Sequence, residues 1–254
     1  MKVTYIHHSS FMAELEHAAL LFDYFEGEIP AVEGDKPLFV FASHRHGDHF
    51  SRAIFDLADQ RRNVTYILSD DIWRRQVPEE LLGRTTFLGP DEDTRLLDGA
   101  GGPLDIEAFK STDEGVAFLV RAEGKAIYHA GDLNNWVWEG EPEKDNQKMS
   151  ERYHGELAKL AGRHIDVAFM LIDPRQEKDF YLGMDDFMRM VGADVVFPMH
   201  FWGILRRRPG SRPCHARRII RTGYGKYTER ANALLYRKEL NHDIDSERAR
   251  YRAC

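Results

Sequence analysis

Residues 43–50 read Ser43-His-Arg-His-Gly-Asp-His-Phe50, a stretch that sets His44, His46, Asp48 and His49 within six residues of one another. The run before it, Pro37-Leu-Phe-Val-Phe-Ala42, is short, apolar and rich in strand formers, so the segment leaves the end of a buried strand. Alternate side chains of an extended chain share a face, which puts His44 and His46 on one side. Gly47 permits a sharp turn that swings Asp48 and His49 toward the same point. Neutral imidazoles and a carboxylate converging there make a site for a divalent transition metal.

Composition narrows the setting. A chain of 254 residues is long enough for one large domain with a sizeable core, and a single domain over residues 1–240 with a polar tail over 241–254 is expected. No apolar stretch reaches the length of a membrane span, and Met1-Lys-Val-Thr-Tyr-Ile-His-His8 lacks the uninterrupted apolar core of a signal peptide. A cytoplasmic protein is therefore expected. The only cysteines are Cys214 and Cys254, so no disulfide framework is expected, a cysteine-based zinc site is excluded, and a metal must use histidine and carboxylate. Residues 202–254 hold 14 Lys and Arg against 5 Asp and Glu, an excess of +9, so of the net charge of -7 residues 1–201 carry -16. The basic segment carries no aromatic-interleaved RNA motif and reads as a solvated face, which makes nucleic acid a secondary expectation.

The metal motif is followed in order by Tyr128-His-Ala-Gly-Asp-Leu-Asn134 and by Val195-Val-Phe-Pro-Met-His200, each at the end of an apolar run. This series resembles the metallo-β-lactamase superfamily, and within it the branch of ascorbate-6-phosphate lactonase-like hydrolases. The resemblance covers most of residues 1–202. It implies an α/β fold, an αββα sandwich of two mixed sheets flanked by helices, with metals at one edge of the sheets. It also implies that Asp132 is a carboxylate bridging two metals and that His200 is the late histidine ligand. One ion would then take His44, His46 and Asp132, and the other Asp48, His49, Asp132 and His200. His7-His8-Ser9-Ser10 resembles a His-Ser turn beside the site in that branch, with a plain surface turn as the other reading of His8. Strand alternation separates His129 from Asp132, so His129 is expected to support the site rather than ligate.

Other segments read as scaffold. Ser51 can cap a helix, Asp70 or Asp71 can start another that carries Ile72 and Trp73, and Met149, Tyr153, Leu157 and Leu160 fall at helical spacing over about 150–161. Three strands follow Gly99-Ala-Gly-Gly-Pro103 as a meander, and a helix is expected over 213–222. Asn134-Asn-Trp-Val-Trp138 reads either as a pocket wall or as core.

The function expected is that of a metal-dependent hydrolase acting on a small ester, lactone or phosphoester substrate, with Asp48 and Asp132 at the chemistry and one or two divalent ions per chain. Zinc leads, with manganese and iron as the other candidates, since histidine and carboxylate suit all three. The absence of a Gly-x-Ser-x-Gly turn fits a reaction without a side-chain nucleophile. The lactonase-like resemblance implies an anionic small-molecule substrate, with Arg175 of Asp173-Pro-Arg175 as a candidate binder. The alternatives are a nuclease or phosphodiesterase of the same fold, and a non-catalytic member with an incomplete metal site. A homo-oligomer is compatible with the sequence. One departure stands out: where the superfamily supplies a further histidine, Phe109-Lys-Ser-Thr-Asp-Glu-Gly115 has none. Ser111 takes its place by position and Asp113 is the other candidate, so two metal positions of unequal strength are expected.

Overall fold

The computed structural model describes residues 1–201, so the basic segment, the helix expected over 213–222 and the polar tail lie outside the described residues. Twelve strands and three α-helices make up the described chain. The first sheet comprises β1 (Lys2–His7), β2 (Ser10–Glu14), β3 (Ala19–Phe22), β4 (Leu38–Ala42), β5 (Val64–Ser69) and β6 (Thr85–Leu88), in that spatial order. The second runs β12 (Val195–Met199), β11 (Val167–Leu171), β10 (Lys125–His129), β9 (Val116–Ala122), β8 (Pro103–Lys110) and β7 (Asp93–Leu97). Each sheet is mixed: β1 to β3 and β7 to β10 are antiparallel meanders, while β3 to β6 and β10 to β12 run parallel.

Period-two alternation with both phases apolar explains the layering. In β4, Phe39 and Phe41 point inward to the second sheet while Leu38, Val40 and Ala42 point outward, and all five are buried because both faces are covered. Aromatic side chains fill the gap between sheets: Phe11 lies 4.4 Å from Phe169, and Phe41 lies 5.4 Å from Phe118 and 4.7 Å from Phe22. Burying each such ring contributes about 1.5–3 kcal/mol. The outer face of the first sheet is covered by a 3-10 turn (Arg52–Asp56) and α1 (Leu57–Gln60) through Ile54, Phe55 and Leu57, with Ser51 capping as expected. The second sheet packs under α2 (Glu143–Leu160) and α3 (Leu182–Met190), with Phe187 stacked 5.5 Å from Tyr128. The αββα sandwich expected from the resemblance is the fold observed. No helix among the described residues is long and apolar enough to cross a membrane.

Two local expectations differ from the structure, and one strand had no expectation at all. The segment after β5 is a turn followed by a 3-10 helix at Arg74–Gln76, because the Asp71 carboxylate accepts from the Arg45 amide rather than capping its own chain. Helix α2 starts at Glu143 rather than near Ser150, directly after Pro142, with Glu143 and Asp145 placed favourably for the helix dipole. Strand β7 carries no strong apolar signal; it is an edge strand whose alternate residues face solvent, and its Arg95 pairs with Asp105 across the ladder.

Two glycines hold the sheets together at the edge where the parallel strands end. A Cβ on Gly115, whose φ is +65°, would lie 2.0 Å from the Ser43 carbonyl oxygen, and one on Gly131 (φ +52°) would lie 2.7 Å from the Ser43 Cβ. Gly124 has a similar φ of +69° but opens on empty space. Gly124→Ala is thus expected to lose about 1 kcal/mol for the left-handed backbone alone, and Gly115→Ala about 3 kcal/mol or more for the added clash. Equal denaturant midpoints for the two variants would contradict the close approach of the sheets at Ser43.

Candidate metal centre

Every polar side chain of the centre sits at a strand end or in a turn on one edge of the sandwich. Asp23 follows β3, the His44 to His49 loop follows β4, Asp132 follows β10, Asp173 follows β11 and His200 follows β12; His8 lies in the turn between β1 and β2. Side chains outside the carboxyl ends of parallel strands converge in this way because the strands end together. Three of these positions, His8, Asp23 and His200, are non-glycine residues in the left-handed region, with φ of 50°, 45° and 62°. Such backbone costs about 1–3 kcal/mol per residue and persists only where its surroundings fix it.

Asp23 fixes the orientation of two rings. Its fully buried carboxylate accepts from the Ser43 amide at 2.7 Å, from the Ser43 hydroxyl at 2.6 Å and from His49 Nδ1 at 2.7 Å. The Ser43 hydroxyl, having spent its proton on Asp23, accepts from His44 Nδ1 at 3.0 Å. His200 Nδ1 donates in the same manner to Asp173 at 2.9 Å. All three rings therefore present Nε2 to the centre, the arrangement by which an acceptor behind an imidazole fixes its tautomer.

The inner donors form three overlapping groups: His8, Asp48, His49 and His200; His44, His49 and Asp132; and His46, Asp113 and Asp132. Within each group the ligand atoms lie within 4.8 Å of one another. His49 Nε2 is 3.2 Å from Asp132 Oδ1, and His44 Nε2 is 3.6 Å from Asp132 Oδ2. His44 Nε2, His49 Nε2 and Asp132 Oδ1 are buried and make no hydrogen bond. Burying such atoms without a partner is costly, and a divalent cation satisfies all of them at once; imidazole nitrogen and carboxylate oxygen are the donors zinc, manganese and iron accept. The residues present fit the metal that the sequence implied.

Electrostatics point the same way. Burial works against ionisation of Asp132, yet His49, His200 and His44 hold its carboxyl far below the usual range. Burial likewise opposes charge on His49, but Asp132 and Asp23 on either side raise its pKa well above the ordinary value. Burial lowers His44 to about 4, helped by His49, so this ring is neutral and able to ligate. Positive charge between the two carboxylates is strongly favoured, whether as a proton or as a metal ion.

All six residues expected as ligands are brought together: His44 falls with His49 and Asp132, His46 with Asp113 and Asp132, and Asp48 with His8, His49 and His200. His8 is buried within the centre, 3.5 Å from Asp48, rather than on the surface. His129 stacks on Phe22 at 5.1 Å, its Nε2 donates to the Ser9 carbonyl and its Nδ1 accepts from the Gly131 amide, and it falls in none of the three donor groups. Ser111 turns its hydroxyl to the Asp113 amide. Arg175 is clamped on Asp173 and lies 6.0 Å from the rings of both Trp136 and Trp138. Those two indoles stack in parallel 5.7 Å apart, with Trp136 buried and 6.0 Å from His200, so they are wall and core at once. Thr112 and Gln176, which pin this wall, carried no signal in the sequence, since neither residue type in isolation marks a contact 22 or more residues away.

A fold of this topology with a histidine and carboxylate cluster at its strand ends defines a class of metal-binding proteins, and comparison with known proteins places the chain within it. Residues 2–146 match the family model described as the beta-lactamase superfamily domain, so the chain belongs to that superfamily. It is 29% identical over 216 residues to a UPF0173 metal-dependent hydrolase of Opitutus terrae, spanning 79% of this chain and 85% of the relative. A second such hydrolase, from Alkaliphilus metalliredigens, is 28% identical over 220 residues, with 79% and 85% covered. Among solved structures, Igni18, a metallo hydrolase from Ignicoccus hospitalis, superposes with a TM-score of 0.62 at 17% identity over 92% of this chain and 97% of that one, a likeness of fold.

Because Asp23 reaches His49 directly and His44 through Ser43, Asp23→Asn is expected to weaken metal binding throughout the cluster, by about 10–100-fold. Asp173→Asn is expected to weaken only the ion that His200 holds. Equilibrium dialysis with elemental analysis checks both, and a loss confined to a single ion in Asp23→Asn would contradict the shared role.

Proposed function

We propose that this metal-dependent hydrolase of the β-lactamase superfamily cleaves a small anionic ester, lactone or phosphoester. The observation that carries the reading is the convergence of buried donors lacking hydrogen bonds, His44, His49 and Asp132, beside a carboxylate that meets solvent, Asp48. A divalent cation bound there supplies Lewis acidity and lowers the pKa of water. Asp132 and His49 each belong to two donor groups, which supports Asp132 as the carboxylate shared between two ions. Asp48, with its side chain 30% exposed, is the group of the cluster that orients incoming water by accepting its hydrogen bond. Its carboxyl stays ionised because His8 and His49 outweigh the effect of burial.

Substrate recognition falls to the opposite wall. Asp173 holds the Arg175 guanidinium and raises its pKa, with smaller contributions from Asp132 and Asp48, so the cation stands within electrostatic reach of the cluster. Trp136 and Trp138 give that side an apolar face that excludes water. An anionic group on Arg175 beside an ester carbonyl or phosphorus at the cluster is the binding mode this geometry favours, and it agrees with the lactonase-like branch. The single domain, the cytoplasmic setting and zinc as the leading metal remain part of the same reading.

Asp48→Ala is expected to abolish hydrolysis with the thermal midpoint unchanged, since its side chain is outside the core. His49→Ala is expected to abolish it as well, at a stability cost of about 1–3 kcal/mol because Asp23 loses a partner. Asp132→Ala should show the lowest metal content of any single ligand variant. Arg175→Met should raise KM for anionic substrates with kcat little changed and leave a neutral ester unaffected. A panel of lactones, phosphoesters and phosphodiesters assayed across salt concentrations separates the readings: a steep loss of activity with salt on nucleic acid would favour a nuclease, and inactivity on every member by a metal-loaded sample would overturn hydrolysis.

A further inference from the structure

We infer that Asp113 is a metal ligand, and that it makes the His46 end of the cluster an oxygen-rich position that favours manganese or iron(II) over zinc. The inference rests on the metal-centre reading above and deepens it. The turn from Ser111 to Gly115 is anchored by its own backbone, Ser111 N–H to Gly115 C=O at 3.2 Å, and is docked on the base of the ligand loop by the Val116 amide, which donates to the Ser43 carbonyl at 2.9 Å. The close approach of Gly115 to Ser43 and His44 leaves the turn no other seat. The neighbours of Asp113 on the turn have partners of their own, although Glu114 also reaches within 3.6 Å of His46 Nε2. Ser111 Oγ accepts from the Asp113 amide, Thr112 Oγ1 donates to the Asn134 carbonyl, and Glu114 binds Arg45 at 2.7 Å. Asp113 alone on this turn falls in a donor group, with His46 and Asp132, and among the described residues its carboxylate pairs with no Lys or Arg.

A structural purpose does not account for this placement. Asp113 is exposed, and its carboxylate lies within 4.8 Å of a ligand atom of Asp132; the two like charges repel, less in water than in the core, and a cation held between them turns that repulsion into attraction. The other carboxylate of that group, Asp132, has one oxygen, Oδ1, buried with no hydrogen bond. At the other end of the cluster His8, His49 and His200 give three imidazoles to one carboxylate, Asp48, whereas His46 stands with two carboxylates. Carboxylate-rich sites suit manganese and imidazole-rich sites suit zinc, so the two ends differ in preference.

The test compares the unmodified chain with Asp113→Ala and Asp113→His by dialysis against zinc and manganese, singly and in competition, with elemental analysis and with circular dichroism as a check on folding. The unmodified chain is expected to hold two ions, manganese competing best for one of them. Asp113→Ala should retain one, with a thermal midpoint in metal-free buffer no lower than the unmodified chain. Asp113→His should hold two and shift the preference of the affected position toward zinc by about tenfold or more. Two ions bound with unchanged affinities in Asp113→Ala, or an unaltered zinc to manganese ratio in Asp113→His, would overturn the assignment while leaving the hydrolase reading intact. Failure of the unmodified chain to bind either metal would overturn both.

Discussion

The Asp23 carboxylate, buried between the sheets and accepting from Ser43 twice and from His49 once, is the interaction on which the centre depends. Burying a charge is expensive, and here it is offset by three hydrogen bonds together with the nearby His129 and His49, which keep the group ionised. That single anion decides which nitrogen of His49 and, through a hydroxyl, which nitrogen of His44 carries a proton. Without it the two imidazoles would be free to turn either edge inward. The left-handed backbone at Asp23 is the local strain that lets a residue at the end of β3 reach across to the loop after β4.

The centre is also a joint between sheets. His44, His46, Asp48 and His49 come from the first sheet and Asp132 and His200 from the second, so the ions they hold would tie the two layers at their common edge. The aromatic packing of Phe11, Phe22, Phe41, Phe118 and Phe169 fixes the spacing of the sheets just behind that edge, and Gly115 and Gly131 let the backbones close on Ser43. Packing at crystal-like density transmits position with little slack, which is what a donor set drawn from five separate chain segments requires.

The tryptophan wall is stiff rather than hinged. Gln176 accepts from the Asn134 side chain and donates to the Asn135 and Val137 carbonyls, Asn135 donates to Asp186, and Asn146 both donates to and accepts from the Trp138 backbone. The loop bearing the two tryptophans is thereby sewn to three surrounding elements.

The sequence alone determined the chemistry of the donors and the edge of the fold where they lie. The spacing of His44, His46, Asp48 and His49 after an apolar strand, with Asp132 and His200 each ending a later one, is a local pattern, and local geometry governs which way a strand-end side chain projects. Strands covered on both faces were legible for the same reason, as near-continuous apolar runs. What only the tertiary structure decided are relations between distant segments: that His8 enters the centre, that His46 keeps company with Asp113 while the Ser111 hydroxyl accepts from the Asp113 amide, that Asp23 and Asp173 stand behind the rings, and that Gln176 braces the tryptophan wall. Each of these depends on which strands become neighbours and in what register, and that is set by the packing of two sheets around a shared core, a property no short window of residues contains.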